Sequence, residues 1–177
     1  MRVIAGEKKG HRIATPKGDH TRPTGDRVRE ALFNMLGPLE GATAADLFAG
    51  SGALGIEALS RGATRCVFVE SAPAAARVIQ ANLLKLGLRG AVVQKRDVLA
   101  FLREEAARGT RYDLVLCDPP YGDWERLEPE LAELLPAVLA GSGLLSVETG
   151  ARVEPALPLE TVTSRRYGAA RITLFRG

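Results

Sequence analysis

The chain has 177 residues, 46% of them hydrophobic, which is enough to bury one full core and excludes a disordered or low-complexity polymer. No uninterrupted apolar run reaches the ~18 residues that span a bilayer, and the opening MRVIAGEKKG lacks the apolar core of a secretion signal, so a cytoplasmic location without membrane association is expected. The formal net charge of +3 is unevenly placed, with +4 in residues 1–30 and +3 in residues 160–177 around a middle of −4, a pattern that suits a basic face for a polyanion.

In chain order, "RVIAG" and "HRIATP" flank the turn-prone "EKKG", which predicts a small basic β-hairpin. Arg2, Lys8, Lys9, His11 and Arg12 on that hairpin suit a phosphate backbone better than a small molecule. Arg22, Arg27 and Arg29 extend the basic stretch, although helical spacing lets some of them pair with Asp26 or Glu30. His11 and His20 read as surface residues. "TRPTGDRVREALFNMLG" predicts a helix capped by Thr24 and ended by Gly37. The Gly- and Pro-containing stretch at 37–41 then divides a basic N-terminal piece, 1–37, from the main domain, 38–177.

From residue 43 the chain alternates short β-rich runs with helical patterns, the signature of βαβ units and a mainly parallel sheet. The predicted strands are "TAADLF", "TRCVFVE", "GAVVQKR", "RYDLVLC" and "GLLSVET". Between them fall helices such as Ala72 to Leu86, with Ser71 as cap and Gly87 as stop, and another from about Trp124 to Leu139. Cys66 and Cys117 lie inside apolar strand runs, where buried thiols fit better than a disulfide, and no metal site is expected. "LETVTSRRYGAARITLFRG" reads as two strands turning near Tyr167 and Gly168, an antiparallel hairpin that closes the sheet. The fold class is α/β, Rossmann-like.

After the first strand comes "DLFAGSGALGIEAL", in which Gly50, Gly52 and Gly55 match GxGxxG and Glu70 ends the next strand, where a carboxylate can bind ribose hydroxyls. A pyrophosphate at this helix start would be repelled by Asp46, whereas a ligand with an amino group and a sulfonium would welcome it. S-adenosylmethionine is such a ligand.

This motif with Glu70, "RDV" at Arg96 to Val98 and "DPPY" at Asp118 to Tyr121 resembles the ordered motif set of class I S-adenosylmethionine-dependent methyltransferases. The resemblance implies that Asp46 lies by the methionine amino group, that the turn from Gly50 to Gly52 approaches the cofactor, that Glu70 binds the ribose, and that Asp97 and Val98 meet the adenine. Asp97 is equally well placed to cap the helix that follows it. In that family the DPPY motif marks transfer to an amine on a planar base or amide. Such an amine has its lone pair delocalised, so two acceptors must grip its hydrogens. The Asp118 carboxylate and the Pro119 carbonyl can do so at about 2.7 to 3.2 Å, Pro119 and Pro120 stiffen the corner, and Tyr121 offers a stacking face.

The basic N-terminal hairpin and helix together with DPPY resemble the bacterial 16S ribosomal RNA guanine-N2 methyltransferases of the RsmD family. That resemblance implies methylation of one guanine N2 in 16S ribosomal RNA, with an assembling small subunit as substrate; independently of it, Arg2, Lys8, Lys9, Arg12 and Arg22 are expected on the RNA, the N-terminal piece as docking element and lid of the cofactor site, and the protein as a monomer. The alternatives are an amino methyltransferase acting on another base, adenine in DNA or RNA, a nicotinamide-dependent oxidoreductase on the same glycine turn, and a non-catalytic RNA-binding assembly factor.

Overall fold

The computed structural model describes residues 1–16, 25–120 and 122–177. Thr24, expected to cap the first helix, and His20 lie outside them. The elements are α1 (Asp26–Leu36), β1 (Thr43–Leu47), α2 (Ala53–Ser60), β2 (Arg65–Glu70), α3 (Pro73–Leu86), β3 (Ala91–Lys95), α4 (Val98–Arg108), β4 (Tyr112–Cys117), α5 (Trp124–Val138), β5 (Leu139–Gly150), β6 (Glu160–Tyr167) and β7 (Ala170–Arg176).

Seven strands form one sheet in the order β3-β2-β1-β4-β5-β7-β6. The first five run parallel, and β7 lies antiparallel between β5 and β6. Side chains alternate across the strands, so the sheet divides the core in two. Ala44, Cys66, Phe68, Leu114 and Leu116 pack with α1, α2 and α3, while Ala45, Leu47, Val67, Val69, Val115 and Cys117 pack with α4 and α5. Parallel strands covered on both faces must be apolar on both, which is why "VLC" and "CVFV" read as continuous runs.

The expected α/β class, the mainly parallel sheet and the C-terminal hairpin are all present. Two local expectations change. The cap of α3 is Ala72, not Ser71, and Pro73 occupies the first turn, where its missing N–H costs nothing. The N-terminal hairpin is present but shorter than its two runs: Arg2 and Arg12 form its bridge, and Val3 N donates to the His11 carbonyl at 3.0 Å, Gly10 N to the Val3 carbonyl at 2.9 Å and Ile13 N to the Met1 carbonyl at 3.1 Å. Beyond Val3 the amides turn to the body of the protein: Ile4 and Ala5 donate to the Glu57 carboxylate of α2 at 2.8 and 2.9 Å. Val3 and Ile13 are buried in the same cluster as α1 to α3 and pin the two arms to the body.

Candidate active site

The C-terminal ends of the parallel strands collect the motif residues. At the end of β1 the chain enters the glycine turn through Phe48, the one non-glycine among the described residues with positive φ, at 59°. A bulky residue there is strained, and strain of this kind clusters at ligand sites. Sequence pattern did not flag Phe48, since nothing in its neighbours announces a left-handed residue.

The three glycines have distinct roles. Gly52 is left-handed at the start of α2, and a side chain on Gly55 would collide with Phe68 and Cys66, so Gly55 lets α2 lie directly on β2. Above Gly50, by contrast, a Cβ would meet only the Phe48 carbonyl oxygen at 4.0 Å. The turn is closed beneath and open above Gly50. Glu70 borders that opening: its Oε2 accepts from Gly50 N at 2.9 Å and its Oε1 from Ala72 N at 2.7 Å. Two amides thus hold the carboxylate in one orientation, and each oxygen keeps a lone pair for a further donor. An open cradle beside a fixed carboxylate fits the ribose and methionine portion of S-adenosylmethionine.

Asp46 departs from its expected place at the mouth of the turn. It shares with Ala44 the face of β1 covered by α1 to α3, is 1% exposed, and its Oδ2 accepts from Gly55 N at 2.8 Å. It therefore anchors the first turn of α2 from below. Burial, reinforced by the charge of Glu70, pushes its carboxyl up to about 8 despite the Gly55 N–H, so near neutral pH it carries a proton much of the time. Asp97 caps α4, accepting from Ala100 N at 2.9 Å, with its side chain at the surface next to buried Val98.

The acidic corner follows β4. Leu47 pairs with Cys117 in the β1–β4 register, and the Asp118 amide faces the Leu47 carbonyl at 3.5 Å, so the residues beyond, Phe48 and Asp118, are adjacent strand ends about 4.8 Å apart. Asp118 is half-buried and already engaged within the protein, Pro119 is buried, and Pro120 is exposed, its carbonyl accepting from Asp123 N at 3.1 Å. Tyr121 lies outside the described residues. Buried Glu148, one residue past the β5 partner of Cys117, also ends at this corner and was not anticipated, because "SVET" reads as ordinary strand.

The expected RNA-contacting residues are spread more widely. Lys9 and Arg12 are exposed, whereas Lys8 is ion-paired to Glu7 at 2.6 Å and Arg2 to Asp26 at 3.0 Å. Arg29 is withdrawn altogether: it is buried, with Nη2 on the Arg2 carbonyl and on Asp26. Arg22 lies outside the described residues. The Lys8 amide donates to Ser60 Oγ, so the hairpin tip sits at the C-terminal end of α2, about 12 Å along the helix from the glycine turn.

The family described as Conserved hypothetical protein 95 matches residues 1–176. The chain belongs to this family. Among its relatives, the Bacillus subtilis (strain 168) protein YlbH is 38% identical over 186 residues, spanning 99% of this chain and 98% of that one. Ribosomal RNA small subunit methyltransferase D of Escherichia coli (strain K12) is 39% identical over 161 residues, 89% of this chain and 78% of its own. A solved structure of a hypothetical protein from Thermus thermophilus superposes with TM-score 0.86 at 34% identity, covering 100% of this chain and 99% of that one. The RsmD resemblance read from the sequence is borne out by these matches, and the relatives named for an activity are methyltransferases, which displaces the nicotinamide reading. Among the described residues no helix is long and apolar enough to cross a membrane.

Proposed function

We propose that this protein transfers a methyl group from S-adenosylmethionine to the exocyclic N2 amine of a guanine in 16S ribosomal RNA. The observation that carries the reading is the adjacency of two sites on neighbouring strand ends: the Glu70–Gly50 cradle beside β1 and the Asp118–Pro119 corner after β4. When bound, S-adenosylmethionine supplies an electrophilic methyl group on a sulfonium. Glu70 holds ribose hydroxyls, Gly50 admits close approach, and Asp97 with Val98 borders the adenine. Asp118 and the Pro119 carbonyl accept the two amine hydrogens, turning the lone pair toward the methyl carbon, and Tyr121 stacks on the base. Most of the acceleration is positioning, for which oriented reactants supply about 7 kcal/mol or more. Asp46, neutral and beneath the turn, ionises when a cationic amino group approaches.

The relatives' naming as small-subunit ribosomal RNA enzymes supports the RNA substrate, as does the exposure of Lys9 and Arg12. Residues 1–37 act in this reading as the docking piece and as lid of the cofactor site, the protein works as a monomer, and the guanine must be unpaired or extruded to reach Asp118. The test is methyl transfer from labelled cofactor to small subunits, and to free 16S RNA, from a strain lacking this protein, followed by mapping of the modified nucleotide. A label on guanine N2 is expected. A label on adenine would favour the alternative base, and no label on any RNA would overturn the reading.

A further inference from the structure

The β6–β7 ribbon carries a second basic surface, and register fixes its place. β5 ends at Gly150, which pairs with Ala170, and Ala170 pairs with Tyr167. The β6–β7 turn therefore lies at the same end of the sheet as Asp118, three strand steps from β4, or about 14 Å. Arg165 and Arg166 are exposed on the strand that enters the turn. Arg165 sits opposite Ile172, and Tyr167 packs against the cluster that contains Ile172, Val3 and Ile13, so both lie on the sheet face that bears the N-terminal hairpin.

Charge along the ribbon is graded. At the end remote from the site Arg176 faces Glu160 across the strands and pairs with it at 3.8 Å. At the near end Arg166 stands directly opposite Arg171, a like-charge arrangement that costs stability. Arg171 is buried and neutralised by Glu154 at 2.8 Å, whereas Arg165 and Arg166 have no ion pair among the described residues. An edge strand needs some charge to discourage strand addition, but charge anywhere along β6 would meet that need. It does not account for crowding bare arginines at the reactive end. Nor do Lys8 and Lys9 supply the contact there, since their loop packs at the far end of α2.

We infer that Arg165 and Arg166, which leave the edge strand β6 on opposite faces, form along that free edge a second docking surface for RNA phosphates, holding the target strand close to Asp118 while the hairpin holds it farther away. This rests on the RNA reading above. Double variants R165Q/R166Q and R165E/R166E test it, with R111E as a control from the opposite end of the sheet. Binding to unmodified 16S RNA and to small subunits lacking the modification is measured across salt concentrations. The double variants should bind RNA at least roughly tenfold more weakly, with a log–log salt slope smaller by about one unit per lost phosphate contact. S-adenosylhomocysteine affinity and the control should be unchanged. A folded R165Q/R166Q protein that keeps the wild-type slope overturns the surface. So does aggregation with normal RNA binding by the soluble fraction, since the arginines would then only guard the edge. Wild-type protein that neither binds nor methylates RNA overturns the RNA reading itself, whereas normal wild-type transfer with an indifferent ribbon removes this surface alone.

Discussion

Two strand-to-helix corners meet at the reactive end of the sheet, and they are built by opposite means. After β1 the chain turns through glycines, and its shape is imposed by neighbours: Asp46 on Gly55 N from below, Glu70 on Gly50 N from the side, Phe68 and Cys66 against Gly55. After β4 it turns through two prolines, whose rings stiffen the backbone from within. The first corner is over-determined by contacts and suits tight holding of a ligand. The second spends stiffness on aiming two acceptors, and its failures should appear in rate instead of affinity.

The largest expected effect tests that division. Asp118→Ala should leave S-adenosylhomocysteine binding near wild type while lowering single-turnover methyl transfer by about 100-fold or more, because it removes an acceptor that acts in the transition state. Asp118→Asn should retain more activity, the amide oxygen still accepting. Full activity of Asp118→Ala would abolish the contrast. Glu70→Ala should do the reverse, weakening the ligand by about 1.5 to 3 kcal/mol in calorimetry, since charge-assisted bonds are lost. Gly55→Ala should cost about 1 to 3 kcal/mol in denaturant unfolding through overpacking on Phe68 and Cys66.

A smaller effect concerns pH. The folded Asp46 carboxyl, raised to about 8 from its ordinary 3.8, holds a proton that the unfolded chain releases, so its contribution to stability falls as pH rises between those values. A cationic ligand group nearby draws the proton off, so affinity should rise with pH toward 8 by less than tenfold per unit, with proton release in calorimetry, and Asp46→Asn should flatten both trends. Smallest of all, Asp97→Ala should destabilise α4 by about 1 kcal/mol as a lost cap. A drop in cofactor affinity beyond that would sharpen its assignment to adenine.

The parallel strands were legible because burial on both faces leaves unbroken apolar runs, and the two corners were legible because glycine and proline declare backbone shape. The direction of Asp46 was recoverable from alternation with Ala44, yet its neighbours in sequence suggested a mouth instead of a floor. How the tip of the N-terminal hairpin is seated was not legible, since it depends on Glu57, a helix residue more than fifty positions away whose carboxylate captures the amides of Ile4 and Ala5. The insertion of β7 between β5 and β6 was hidden for the same reason, because strand neighbours are chosen by the finished sheet. Of the basic residues, composition could count charge but could not see Arg29 folded inward or Lys8 paired to its neighbour.

The seat of the N-terminal loop on α2 constrains how the protein can be remade. Any side chain at Gly6 would run into the Ser60 carbonyl, and the Ser60 hydroxyl donates to the Ala5 carbonyl at 2.6 Å while Glu57 receives the amides beside it. A chimera carrying the loop of a distant family member would therefore leave Glu57 with the Arg61 Nε–H alone as donor wherever the new loop set its amides elsewhere, unless it brought the matching end of α2 as well. Residues 4–8 and 57–60 form a unit of inheritance: a swap of this loop between relatives has to cut the gene in two places, not one.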